Sequence, residues 1–514
     1  MRQRLFALLT SALMIATFGT TVSAAVPTDT AALRSEVNAA EIYTHLQEFQ
    51  DFASANGDTR EASTAGFDLS ADYVAGLMED AGYTVSRQTF PYNFFEQLAP
   101  PVLVGLTPSP FPYTYDDGED ISTMDYSGNG TVSGVVQEAD VTVPLPVGQP
   151  DGTSTSGCED ADFAGFTGDI ALVQRGTCFF FEKIENAVEA GAEAVIIFNE
   201  GNSDERTGVD FGQASFPQDV PVLEMSSAAG AQLVELIRTE RAAGRTVTMT
   251  VTTTTVSEER ESENVIADST FGRTDRVVVS GAHLDSVIEG PGINDNGSGS
   301  AAQLEVALEL AESGVETRNA VRFIWFGAEE AGLVGSAFYV SELTKREVKN
   351  IAVMLNFDMV ASPNAGWFVY DGDASDTAST GSSGSGVVED VFVDFFDSIG
   401  RVTKPTAFDG RSDYDAFVAV GIPAGGLFTG AEDFKAADEV AIWGGTAGIA
   451  YDPCYHAACD DIDNLNLVAL DEMADALAHG LLTFANTTSA AEGTGKGDGS
   501  PAYDPSFKGH KAIR

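Results

Sequence analysis

Apolar residues recur with helical spacing over two early stretches of the chain. In EIYTHLQEFQDFA, Ile42, Leu46, Phe49 and Phe52 share one stripe; LSADYVAGLMEDAGY repeats the pattern and stops at Gly82. TVSRQTFPY then alternates, which predicts a strand. Residues 99–155 lose this order; rich in Pro, Gly, Thr and Asp, they predict loops and short strands. From Cys158, GDIALVQRGTCFFFEKIENAVEAGAEAVIIFNE reads as strand, turn, amphipathic helix and strand. RTVTMTVTTTTV adds a strand with Val247, Met249 and Val251 on one face. These elements predict a separate small α/β domain at 130–255.

From ENVIADST onward, strands alternate with helices. RVVVSGAH is a continuous β-branched run, as expected of a strand covered on both faces. SAAQLEVALELAES predicts a helix burying Leu304, Ala307, Leu308 and Ala311, and AVRFIWFGAEE, IAVMLNFDMV and GIPAGGLF predict further buried strands. The fold class expected is α/β: a mixed, mostly parallel doubly wound sheet with helices on both faces, plus the smaller α/β domain. Sites in such sheets gather at the carboxyl ends of the strands. The main domain is discontinuous, 30–129 and 256–490, and residues 491–514 form a polar, turn-rich tail.

Composition adds a compartment. Residues 1–24 carry Arg2 and Arg4, an apolar run and a small-residue ending, the pattern of a secretory signal peptide. A secreted or periplasmic location follows, with no stable membrane anchor. In such a compartment four cysteines favour two disulfides over a structural zinc site. Local spacing pairs Cys158 with Cys178 and Cys454 with Cys459, although the sequence leaves other pairings open. Acidic residues number 78 against 27 basic, a net charge of −51. That balance argues against nucleic acid or an anionic membrane as partner. Adaptation to a salty exterior and plain solubility explain it equally well. Nothing in the sequence sets the oligomeric state.

Candidate ligands lie just beyond the buried strands. VVVSGAHLDS ends in His283-x-Asp285, GPGINDNGSGS carries Asp295, FIWFGAEEAGLVGS carries Glu329 and Glu330, and VMLNFDMV delivers Asp358. YDPCYHAACDD presents His456 between Cys454 and Cys459. Singly, each has an ordinary structural reading. Together, His283, Asp295, Glu330, Asp358 and His456 exceed one closed tetrahedral site and suit two zincs sharing a bridging carboxylate. Paired metals of this kind activate water and polarise a carbonyl. His45, His479 and His510 have no such company and read as structural or surface residues.

These motifs, with GRSDYDAF and IWGGTAGIAYDPCYHAACDDIDNL, resemble the secreted dizinc aminopeptidases of the bacterial leucyl type. Residues 130–255 resemble a protease-associated (PA) domain inserted in that fold. The resemblance implies two Zn2+ per chain, bridged by Asp295, with His283 and Asp358 on one ion and Glu330 and His456 on the other. It implies Glu329 as general base to a metal-bridged hydroxide and Asp285 as the group orienting His283. A Cys454–Cys459 disulfide would stiffen the loop presenting His456 and place Tyr455 to stabilise the oxyanion. Arg411 would help position substrate, or form a structural ion pair with an Asp such as Asp413. The expected partners are peptides with a free N-terminus, with apolar residues such as leucine removed first. A zinc carboxypeptidase or dipeptidase on the same scaffold, an aminoacyl cyclase and a non-catalytic peptide-binding module are the alternatives.

Overall fold

In the computed structural model, residues 29–143, 152–379 and 381–486 are described. The expected signal peptide and the tail lie outside them. Along the chain the strands are β1 (Thr84–Thr107), β2 (Ile121–Thr123), β3 (Gly130–Glu138), β4 (Ile170–Gln174), β5 (Ala194–Phe198), β6 (Val222–Met225) and β7 (Thr248–Asp268). The second half contributes β8 (Arg273–His283), β9 (Asn319–Phe326), β10 (Ile351–Phe357), β11 (Phe368–Tyr370), β12 (Lys404–Thr406) and β13 (Ala424–Phe428).

Hydrogen bonding links these strands in the order β12-β11-β13-β10-β8-β9-β7-β3-β4-β5-β6-β2, with β1 paired to β7. At the centre of the larger half, β13, β10, β8 and β9 run parallel. Each inward strand is covered on both faces, which explains the continuous apolar runs. On β9, Val321, Phe323 and Trp325 join a core with the helices Ala39–Ala55, Ala65–Asp80, Gly299–Glu312 and Leu467–Asn486. Its alternate residues Ala320, Ile324 and Phe326 join the opposite core, with Tyr339 and Phe417 from two shorter helices. Burying an aliphatic or aromatic side chain of this size contributes about 1.5–3 kcal/mol, so β9 draws stability from both sides.

The first helix starts where Asn38 caps it, its side chain accepting from the N–H groups of Ala40 and Glu41. The second ends before Gly82, whose φ of +91° only glycine adopts freely. Helix Gly299–Glu312 departs from the expected stripe: Leu310 is buried with Leu304 and Ala307, while Leu308 and Ala311 are only partly so.

The smaller half repeats the layered plan around β4, β5 and β6. Ala194, Ile196 and Phe198 of β5 face one core, and Val195 and Ile197 face another. The first part of the region expected to hold loops and short strands, residues 99–107, is instead the end of β1, which continues to Thr107 against β7. Its Pro100-Pro101 pair falls where the register shifts between Ala99 and Val102, so the prolines interrupt the ladder without ending the strand. This β1–β7 ribbon runs through both halves and joins them into one sheet. No helix of the described residues is long and apolar enough to cross a membrane.

Candidate metal centre

Parallel strands β8, β9 and β10 end together, and the residues at or just beyond their ends supply candidate ligands. His283 closes β8, Asp358 follows the last residue of β10, and Glu329 and Glu330 lie just beyond β9. Asp295 sits in the Gly-rich loop leading into helix Gly299–Glu312, and His456 arrives on the disulfide loop. Several turns here require uncommon backbone. Ala328, Met359 and His456 have φ of +54°, +50° and +53°. Such left-handed non-glycine residues are held only where surrounding structure over-determines them.

The side chains converge as two triads sharing one carboxylate. His283 Nε2 lies 3.3 Å from Asp295 Oδ1 and 3.3 Å from Asp358 Oδ1. His456 Nε2 lies 3.4 Å from Asp295 Oδ2 and 2.9 Å from Glu330 Oε2. The two oxygens of Asp295 therefore face different histidines. Ligand atoms ~2.0–2.1 Å from a tetrahedral zinc sit roughly 3.3 Å apart, so three of these four separations match a shared ion. Asp358 Oδ1 and Glu330 Oε1 are buried without a hydrogen-bond partner. Orphaned carboxylate oxygens are costly, and a cation between the triads satisfies them. The donor set fits a divalent N/O-ligated metal.

Burial and neighbouring charges shift the ionisation of each of these groups. Burial opposes charge on His283, yet Glu329 and Asp358 outweigh it and raise its pKa well above the usual imidazole value. His456 behaves alike: burial lowers it, but Glu330 and Asp295 push it up to about 11. Burial, reinforced by Asp295, lifts Glu330 to about 7. Asp295 goes the other way, since its two imidazole partners overcome the burial that would raise it. Burial first, with Glu330 and Asp358 close by, raises Glu329 well above the carboxylate range. A bound divalent ion reverses this logic, because its charge becomes the largest in the site.

Supporting groups fix the ligands. Asp285, expected to orient His283, faces the ring Nδ1 with its backbone carbonyl at 3.2 Å and its carboxylate at 3.7 Å. The carboxylate accepts the backbone N–H groups of Glu329 (3.1 Å) and Glu330 (3.2 Å), one on each oxygen. Ser412 donates to Asp358 Oδ2 at 2.5 Å, leaving the other oxygen toward His283.

The answer to the cysteine pattern is geometric. Cys454–Cys459 and Cys158–Cys178 are both disulfides, and no free cysteine is present among the described residues. The former frames a loop clamped at both ends by buried carboxylates. Asp460 accepts the N–H groups of Asn294 and Asp295, and Asp452 accepts from the Asn294 amide and the Cys454 N–H. Burial first, then neighbouring Asp452, lifts Asp460 to about 8.

Tyr455 stacks on His456, ring centroids 3.8 Å apart, and its phenol oxygen accepts from Arg411 Nη2 at 3.2 Å. Arg411 pairs at 2.8 Å with Glu432, not with Asp413. The reason is placement: Asp413 is buried, whereas Arg411 lies at the rim. His45 and His479 lie apart from the centre. His45 bonds Tyr73 and Glu305, and His479 bonds Thr30 and stacks on Phe395. His510 lies outside the described residues.

All these ligands border a cavity of about 830 Å3. Met359, Phe368, Tyr370, Phe428 and Tyr451 supply apolar lining. Asp125, Tyr126 and Gln213 of the smaller half also border it. Sequence reasoning missed Arg60, Ser412, Asp452 and Asp460 as parts of this site. The last two had a usable signal, since both are acidic residues flanking the Cys-x4-Cys loop. Arg60 had none, because its partners lie more than 200 positions away.

Comparison with known proteins agrees with this geometry. Residues 264–481 match the model of peptidase family M28, and residues 140–233 match the PA domain. The chain is 44% identical over 449 residues to an aminopeptidase of Pseudomonas aeruginosa, covering 86% of this chain and 80% of that one. Among solved structures it resembles the aminopeptidase from Aneurinibacillus sp. strain AM-1, at 26% identity and a TM-score of 0.64, covering 90% of this chain and 97% of that one. The fold is also that of a zinc aminopeptidase from Bacillus subtilis, at 23% identity and a TM-score of 0.57, covering 89% and 98% of the two chains. With its peptidase fold, its inserted PA domain and these relatives, the chain belongs to peptidase family M28 as an aminopeptidase.

Proposed function

We propose that the protein is an exported dizinc aminopeptidase that removes N-terminal residues, preferentially apolar ones, from peptides. The observation that carries this reading is the pair of triads sharing Asp295, each oxygen of that carboxylate facing a different histidine. His283 and Asp358 would hold one zinc and Glu330 and His456 the other, with Asp295 between them. The zinc named for the Bacillus subtilis structure suits the same nitrogen and oxygen donors. Bound there, the ions supply Lewis acidity to the scissile carbonyl and to water.

The protein's own groups do the rest. Glu329, buried beside the triads with its carboxylate oxygen 3.9 Å from His283 Nε2, takes the proton from the attacking water. It then delivers that proton to the leaving amine. Asp285 holds the backbone of Glu329 and Glu330, so the two carboxylates keep different directions. Tyr455 donates a hydrogen bond from its phenol to the carbonyl oxygen as charge builds there. Arg411, donating to the Tyr455 oxygen, keeps that hydroxyl turned as a donor toward the cavity. Burial and the carboxylates Asp295 and Glu330 raise the Tyr455 pKa, so the phenol stays protonated.

The aromatic and methionine lining supports an apolar first residue. Carboxylates around the centre support recognition of a free ammonium. A carboxypeptidase needs a cation free to receive a terminal carboxylate, and Arg411 is paired with Glu432. The two disulfides support an oxidising compartment. The test is the turnover of a leucine-initiated peptide, its N-acetylated form and its C-amidated form, before and after chelation. Cleavage of the free and amidated forms alone, lost on chelation and restored by zinc, is expected. Turnover that survives acetylation but not amidation would replace this reading with a carboxypeptidase.

A further inference from the structure

The segment between His283 and Asp295 is irregular backbone, yet it must hold the first histidine and the carboxylate that both triads share. It also touches the third loop: a Cβ at Gly290 would meet the Ala457 carbonyl oxygen at 2.4 Å, so only glycine permits this approach to the His456 loop. Something must hold this backbone in place. Arg60, in the turn between the first two long helices, is fully buried. Its Nε donates to the Pro291 carbonyl at 2.9 Å, Nη2 to the Gly292 carbonyl at 2.6 Å, and Nη1 to the Leu284 carbonyl. Its own backbone joins in, with N–H donating to Ser286 Oγ at 2.9 Å and C=O accepting from Ser286 N at 3.2 Å. The aromatic face of Phe49 lies 5.2 Å from the guanidinium carbon, which fixes the plane of the fork.

We propose that Arg60 is the positioning residue of the metal centre, setting the spacing of His283 and Asp295 through the backbone carbonyls between them that its guanidinium holds. The inference rests on the metal reading above. Arg60 lies outside the matched peptidase segment, in the N-terminal helical part of the chain. Metal affinity and the docking of that part are therefore coupled. A guanidinium suits the task because its planar fork satisfies three carbonyls at once and does not lose its charge. A lysine ammonium still brings donors to these carbonyls but not as a planar fork, and a glutamine amide is shorter and brings fewer.

The experiment titrates zinc into the metal-stripped full chain in competition with a chromophoric chelator, for the wild type, R60K and R60Q. The thermal midpoint of each metal-stripped form is measured alongside. Outer groups that orient ligands typically change metal affinity by about 10–100-fold. R60Q is expected to lose zinc affinity over that range and R60K less, with each folded as judged by circular dichroism. A purely structural arginine predicts otherwise: lower metal-free midpoints with unchanged zinc affinity, and that result overturns the proposal. If R60Q does not fold, R60K decides by the same criterion. If neither folds, S286A decides, with several-fold weaker zinc expected and wild-type affinity overturning the proposal. A wild type that takes up no zinc would instead overturn the metal reading itself.

Discussion

The two halves of the sheet bury charge in opposite ways. In the PA domain, Glu200 accepts the backbone N–H groups of Gly152, Thr153 and Ser154 and pairs with Arg206 at 2.7 Å. Lys183, fully buried, donates to the Ser156 carbonyl at 2.5 Å. In the catalytic half, Asp358 and Glu330 each keep one buried oxygen without a hydrogen bond, and carboxylates stand beside other carboxylates. A matched buried charge stabilises a loop; several unmatched ones in one place define a site for a cation. Glu224 sharpens the contrast. It is a buried PA-domain carboxylate with Oε1 unpartnered, but it stands apart from any histidine triad, and burial lifts its pKa to about 8. A lone acid can be neutralised by a proton, whereas the catalytic cluster calls for ions.

The largest effect expected is at Glu329. Glu329→Gln keeps the shape but cannot accept a proton, so kcat should fall about 10^2–10^4-fold, with KM and zinc content close to wild type. Steady-state kinetics with metal analysis checks this, and a fall confined to KM would remove Glu329 from the proton-transfer role.

The two disulfides give the next comparison. C454S combined with C459S should lower kcat at least tenfold, because the loop presenting His456 and Tyr455 loosens. C158S combined with C178S should leave kcat within about twofold and lower thermal stability by ~3 kcal/mol, the scale for a loop of this length. Paired kinetics and thermal scans decide. Equal losses of kcat from both pairs would break the distinction between the halves.

The smallest effect concerns pH and Glu224. Its folded pKa of about 8 lies above the ordinary carboxylate value near 4.3. Between those values the folded form binds more protons than the unfolded one, so this group makes stability fall as pH rises through that window. Glu224→Gln should remove that slope, stabilising the PA domain progressively as pH rises toward 8 and by almost nothing near pH 4. Thermal midpoints across this range check the sign. An unchanged slope would show that Glu224 is already paired.

The buried strands of the larger half, the two disulfide pairings and the residues of both triads were legible because each rests on local information. A β-branched run records burial on both faces of its own strand, and a strand end records where the next side chain emerges. Other features depended on segments far apart in sequence. The composition from residue 99 onward predicted loops and short strands, but pairing with β7 carries β1 on to Thr107. Arg411 found Glu432 rather than Asp413 because one carboxylate is at the rim and the other is buried beneath it. Arg60 meets its carbonyl partners across separations of 224–232 residues, and no periodicity of two or 3.6 encodes such a contact. The sequence by itself determined which side chains could bind metal and which strands would be buried, since both follow from residue chemistry and short-range pattern. The distances at which His283, Asp358, Glu330 and His456 gather around the two oxygens of Asp295 are decided by the tertiary structure, because only packing of the parallel strands and their loops brings those ends within a few ångströms.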